Sequence, residues 1–170
     1  MADRIFKVKV SSIFDCSLER AFKTPMLCAV SKVHTGFGIM PKITHCSDDE
    51  NWGKPGSSKK VYAAKSISQK GGFASIDTVI ERVENNYWII EVSQFQSWML
   101  GFYKYRGKWK TTELQPGKIL IDYSYDLYSN NAILYPLNWL FANAFWKKYM
   151  KRVVENIRQL AYTNEPYNYE

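Results

Sequence analysis

What the chain has little of narrows its chemistry first. It holds 2 histidines, His34 and His45, and 3 cysteines, Cys16, Cys28 and Cys46. No CxxC pair or Cys/His ladder connects them, so nothing has the spacing of a zinc site or a redox dithiol. His45-Cys46 precedes Asp48, Asp49 and Glu50. A zinc site needs several ligands at regular spacing, and this cluster reads as a polar loop. No metal and no cofactor is expected. An odd, unpaired set of thiols points to a reducing compartment, and the protein is expected in the cytoplasm. The N-terminus has no apolar h-region of the kind that marks a secretory signal.

Dense basic runs are also missing. The net charge is +7, yet Lys59-Lys60, Lys147-Lys148 and Lys151-Arg152 are the only adjacent basic pairs. That is the pattern of scattered solvated lysines, and no nucleic-acid partner is expected. Leu127 to Trp146 carries no formal charge, which is about the 20-residue span of a bilayer. However, Ser129, Asn130, Asn131, Pro136, Asn138 and Asn143 interrupt it. No stable membrane insertion is expected.

What is abundant is aromatic area: 6 Trp, 12 Tyr and 9 Phe in 170 residues. Such rings bury large surfaces, and Tyr and Trp also carry a polar tip. They suit a core and equally the wall of a pocket. At this length the chain reads as a single domain over residues 1–170 with a core that needs no disulfide.

Periodicity supplies the elements. Phe6, Val8 and Val10 alternate with Lys7 and Lys9, predicting a half-buried strand. Asp15 or Ser17 then caps a short helix to about Lys23, which Pro25 is expected to stop. A second short helix is predicted from Leu27 to Val33, and a strand from Lys42 to Cys46. From Lys59 onward, strands alternate with tight turns at Gly71-Gly72, Glu84-Asn85-Asn86 and Gln115-Pro116-Gly117-Lys118. Short turns force antiparallel neighbours, so about five strands form a meander and the two earlier strands complete the sheet.

Residues 131 to 163 read as one long helix. Its inward stripe is Tyr135, Trp139, Ala142, Trp146, Tyr149, Met150, Val153, Ile157 and Leu160. The opposite side is basic in the second half, with Lys148, Lys151, Arg152 and Arg158, but apolar in the first, with Leu137, Leu140, Phe141, Ala144 and Phe145. This apolar beginning needs a cover. The short helices or a neighbouring loop are the first candidates, then a homodimer contact, then a membrane. Pro136 marks the first turn or a kink.

This order of elements resembles the START/polyketide-cyclase-like superfamily, often called SRPBCC, with its helix-grip fold. The carrying residues are Phe6-Lys7-Val8-Lys9-Val10, Ser17-Leu18-Glu19-Arg20-Ala21-Phe22, Pro55-Gly56-Ser57-Ser58-Lys59-Lys60, Ile80-Glu81-Arg82-Val83 and the terminal helix. The resemblance implies an α+β fold: a curved antiparallel sheet of about seven strands wrapped around a long C-terminal helix, with two short helices after the first strand. It also implies a cavity for a hydrophobic small molecule or lipid.

The inward pattern then nominates Trp98, Trp109, Tyr123, Tyr125, Trp139, Trp146 and Met150 as ligand-binding residues, since small-molecule sites are apolar walls with a few polar groups. Plain core packing is the competing assignment for each. Three functions follow. The first is hydrophobic-ligand binding. The second is an enzyme of the cyclase or dehydratase kind, with Asp77, Glu81, Glu91, Glu113, Tyr123 and Tyr125 as proton carriers. The third is a surface-interaction protein using the basic helix against anionic lipid or an acidic partner.

Overall fold

The computed structural model describes residues 4–47, 49–96 and 101–169. Among these residues, seven strands form one antiparallel sheet: β1 (Arg4–Phe14), β2 (Ile43–Cys46), β3 (Ser58–Ala63), β4 (Gly72–Val83), β5 (Tyr87–Ser93), β6 (Phe102–Gln115) and β7 (Lys118–Ser129). Their order is β1-β7-β6-β5-β4-β3-β2, a meander from β2 to β7 closed by the N-terminal strand. The hairpin residues adopt the left-handed backbone their types favour, with φ of +57° at Asn85 and +77° at Gly117.

Strict alternation sets the inner face. In β7, residues 119, 121, 123, 125, 127 and 129 are buried while their neighbours are half-buried. Register lines these residues up in rows across the strands. One row is Val10, Tyr123, Trp109 and Trp88. The next is Val8, Tyr125, Gly107, Ile90 and Val79. A third is Phe6, Leu127, Tyr105, Val92, Asp77 and Lys59.

Two short helices follow β1: α1 (Leu18–Leu27) and α2 (Val30–Val33). Ser17 caps α1 by accepting from the Arg20 amide at 3.2 Å. Pro25 does not stop this helix; it lies inside it. A proline withholds a proton from the carbonyl four residues back, here that of Ala21. That carbonyl instead accepts from the Trp109 indole at 3.0 Å. Trp88 donates to the Phe22 carbonyl at 3.0 Å and Trp52 to the Met26 carbonyl at 2.8 Å. Three indoles from elsewhere in the chain thus bind the backbone of α1, and the proline is tolerated because its vacant acceptor is taken.

The terminal helix begins later than the sequence predicts and is not uniform. It consists of α3 (Tyr135–Leu140), a π-helical turn (Phe141–Trp146) and α4 (Lys147–Tyr162). Pro136 sits in the first turn, where its missing N–H costs nothing. α4 packs Tyr149, Met150, Val153, Val154, Ile157 and Ala161 into the core. Beyond it the chain turns back, and the Asn168 amide donates to the Leu27 carbonyl at 2.7 Å. Cys16, Cys28 and Cys46 are free thiols. Among the described residues, no helix is long and apolar enough to cross a membrane.

Candidate functional site

A cavity of about 150 Å³ lies between the concave sheet and the π-helical turn. The sheet contributes Ile90, Val92, Tyr105 and Tyr125, and the helix Phe141, Trp146 and Tyr149. Ile39 and Met40, from the loop after α2, border it too. That loop lies tight on the helix because Gly38 has no side chain: a Cβ there would sit 2.8 Å from the Phe145 ring. Smaller residues complete the wall: Val61 on β3, Ala74 and Ser75 on β4, and Ser68 in the loop between these strands.

The π turn determines which helix residues share the wall. The Lys147 amide bonds to the Ala142 carbonyl, five residues back, so residues five apart come to one face. Phe141, expected outward, is therefore buried beside Trp146, with ring centroids 5.9 Å apart. Trp146 is the hub of the rings, at 4.9 Å from Tyr105, 5.4 Å from Tyr125 and 5.2 Å from Tyr149.

Tyr125 lies across Gly107, its register partner on β6. A Cβ at Gly107 would fall 2.7 Å from the Tyr125 Cζ and 3.0 Å from its hydroxyl oxygen. The glycine is thus a seat for the phenol, the close-approach role of glycine in a strand interior. The Tyr123 hydroxyl donates to that of Tyr125 at 3.1 Å. Burial raises the Tyr125 hydroxyl to about 12, and pushes Tyr105, Tyr123 and Tyr149 up as well. At neutral pH all four are therefore phenols able to donate a proton in a hydrogen bond, not phenolates.

Two titratable groups stand among these rings. His34 Nδ1 is 2.6 Å from the Tyr149 hydroxyl. Burial, with a smaller contribution from the Lys59 charge, lowers this imidazole from 6.5 to about 4, so the pair is neutral. Asp77, on β4, borders the cavity. Burial raises its carboxyl to about 6 against the opposing pull of Lys59, and Ser75 Oγ donates to Oδ1 at 3.4 Å. Lys59 faces Asp77 across β3 and β4. Its ammonium lies 3.6 Å over the Trp52 ring and 4.9 Å over that of Tyr169, and burial lowers it to about 8.

The residues nominated from sequence divide into groups. Tyr125 and Trp146 line the cavity. Tyr123 and Trp109 line a second hollow of about 30 Å³, shared with Tyr125, Lys59 and Asp77. The Trp109 indole proton is already committed to α1. Met150 is core and borders neither hollow. Trp139 is 54% exposed and points away. Asn138 takes the inward place instead, because its Nδ2 donates to the buried Ser129 Oγ at 3.0 Å. Trp98 and Asp48 lie outside the described residues.

Of the carboxylates considered, Asp77 alone borders the cavity. Glu81 accepts from the Tyr87 hydroxyl at 2.6 Å, Glu91 pairs with Arg106 at 3.0 Å, and Glu113 is exposed. His34, Gly107 and Phe141 escaped the sequence reading. Only Gly107 left a signal, an isolated glycine inside a strand pattern.

Neither a protein-family pattern nor a curated protein sequence matches the chain. Solved structures do. Ara h 8.0201 superposes with a TM-score of 0.68 at 17% identity, covering 95% of this chain and 100% of that one. A START superfamily protein from Mycobacterium smegmatis gives 0.67 at 15% identity, covering 93% and 98%. Norcoclaurine synthase from Thalictrum flavum, solved with dopamine and hydroxybenzaldehyde, gives 0.67 at 9% identity, covering 96% and 90%. The chain has the helix-grip fold of the SRPBCC superfamily, with a curved antiparallel sheet around a long C-terminal helix. At these identities the likeness is one of fold, and a fold of this kind hosts many functions.

Proposed function

We propose that the chain binds a hydrophobic small molecule, or the apolar part of a lipid, in the cavity between sheet and terminal helix. The observation that carries this is the hollow of about 150 Å³ walled by Tyr105, Tyr125, Phe141, Trp146 and Tyr149. An apolar cavity of ~150 Å³ accepts one benzene-sized ring. A planar ring or short apolar group matches it as it stands, and a longer acyl chain requires the Ile39–Met40 edge to move. The Tyr hydroxyls, His34 and Asp77 supply the few polar contacts that orient such a ligand. Native mass spectrometry and solvent extraction of the purified protein test this. A bound apolar compound is expected, and Val92→Phe, which fills the space, displaces it. Protein that carries no compound and binds a hydrophobic fluorescent probe equally with and without Val92→Phe would overturn the reading.

A second reading is an enzyme of the polyketide cyclase or dehydratase kind using the same cavity. Asp77 favours it: a buried carboxyl raised to about 6 is suited to moving a proton near neutral pH. Conversion of a bound aromatic polyketide that Asp77→Asn abolishes without releasing the ligand supports it. Turnover unchanged in Asp77→Asn eliminates that role.

A further inference from the structure

We propose that the outer face of α3, together with the basic stretch that follows it, docks on the surface of a bilayer containing anionic lipid. Five large apolar residues crowd the start of the terminal helix in the open: Ile133 at 89% exposure, Tyr135 at 47%, Leu137 at 50%, Trp139 at 54% and Leu140 at 55%. A patch of contiguous apolar side chains on this scale marks an interaction site. The loop after α2 covers Phe145, whose ring lies 5.4 Å from that of Phe37, but the rest of the patch stays bare. Its orientation is fixed from within. Asn138 is fully buried and tied to Ser129, so α3 has to turn Leu137, Trp139 and Leu140 outward.

Exposed positions continue from Trp139 and Leu140 through Asn143 and Ala144 in the π turn to Lys148 and Lys151. Lys147 and Arg152 flank them, also exposed. No acidic residue occurs between Asp126 and Glu155. Among the described residues, none of these four cations makes an ion pair. The surface therefore joins apolar area, amphipathic Trp and Tyr rings, and unopposed positive charge. Trp and Tyr settle at the headgroup level of a bilayer, Leu and Ile enter the acyl boundary, and lysines are drawn to anionic headgroups. A second copy of the chain would cover the apolar residues but bring no carboxylate from this stretch to the lysines. An anionic bilayer meets both needs without a spanning helix. This surface is separate from the cavity, so the inference stands apart from the ligand-binding reading.

The test is flotation of the whole protein with vesicles of phosphatidylcholine alone, or of phosphatidylcholine mixed with an equal part of phosphatidylserine. Binding is expected to the mixed vesicles, weakened in high salt. Trp139→Ser with Leu140→Ser, and separately Lys147→Glu with Lys148→Glu, should each lower partitioning by about tenfold or more. All four positions are exposed, and circular dichroism and urea unfolding serve as the controls for folding. Absence of vesicle binding at low salt overturns the proposal, as does binding that neither pair of substitutions alters. Elution as a dimer that Trp139→Ser with Leu140→Ser makes monomeric, without vesicle binding, assigns the patch to self-association and overturns it equally.

Discussion

At one end of the concave face, Tyr123, Trp109 and Trp88 meet α1 with Trp88 and Trp109 fully buried. Two residues further along each strand come Tyr125, Gly107 and Ile90, and Tyr125 and Ile90 border a hollow of about 150 Å³. The same sheet and the same terminal helix make both ends. The difference lies in where polar tips find partners. At the packed end every indole proton is spent on a carbonyl of α1, which fixes the rings in one place and lets the helix close over them. At the hollow end Tyr125 accepts from Tyr123 and His34 bonds to Tyr149, while the buried Trp146 indole N–H has no partner among the described residues. Among the described residues, the terminal helix meets these groups with the rings of Phe141, Trp146 and Tyr149 and with no backbone acceptor. Aromatic content alone therefore does not distinguish a core from a pocket; the destination of each N–H and O–H does.

Substitutions can break that contrast, and the largest effect is expected at the packed end. Trp109→Ala should destabilise by ~3–5 kcal/mol, as for other buried tryptophans. Trp109→Phe keeps most of the volume but orphans the Ala21 carbonyl, at about 1–3 kcal/mol. Tyr149→Phe at the hollow end should cost roughly 1 kcal/mol while changing ligand affinity. Urea unfolding compares them, and equal losses at both ends would dissolve the distinction.

Gly107→Ala comes next. Its Cβ would press on the Tyr125 phenol at 2.7 Å, and overpacking of this kind costs about 1–3 kcal/mol. In a Tyr125→Leu background most of that loss should vanish, the coupling expected of residues in contact. A loss that persists in that background would mean the glycine serves the backbone and is no seat for the ring.

A smaller effect is one of pH. His34 is lowered in the fold from 6.5 to about 4, so its contribution is complete above 6.5 and declines as pH falls toward 4. Asp77 is raised from 3.8 to about 6, so burying it costs nothing below 3.8 and progressively more as pH rises to 6. Between these limits the two oppose each other, with Lys59 and Tyr149 as the neighbours of the pair. His34→Gln should therefore give stability that falls as pH rises through this window, and Asp77→Asn stability that rises. Identical slopes in both variants would remove these groups from the acid response.

The smallest effect belongs to Trp139, which despite its size is more than half exposed. Trp139→Ser should change stability by no more than about 0.5 kcal/mol; a loss like that at Trp109 would mean it is covered in solution.

The fold was largely legible. Alternation at Phe6, Val8 and Val10 named the inner face of β1, and the turn residues marked the meander from β3 to β7. The site was legible only in part. Tyr125 and Trp146 carried the inward period and border the cavity. Trp139 carried the same period but lost its place to Asn138, since a polar side chain with a buried partner occupies an inward position as readily as an apolar one. Phe141 turns inward, against the 3.6-residue period, because that period does not hold through a π turn. Pro25 does not end α1 as its type suggests, because the acceptor it vacates is filled by Trp109, 88 residues away along the chain.

By itself the sequence determined the elements, their antiparallel succession and the side of each strand that faces inward, because these depend on residues two to four positions apart. Which rings anchor a helix, which surround a hollow and which stand in the open was decided only by tertiary structure. Those outcomes depend on how much space separate elements leave between them and on which distant group accepts each buried proton, and neither is written in the spacing along one segment.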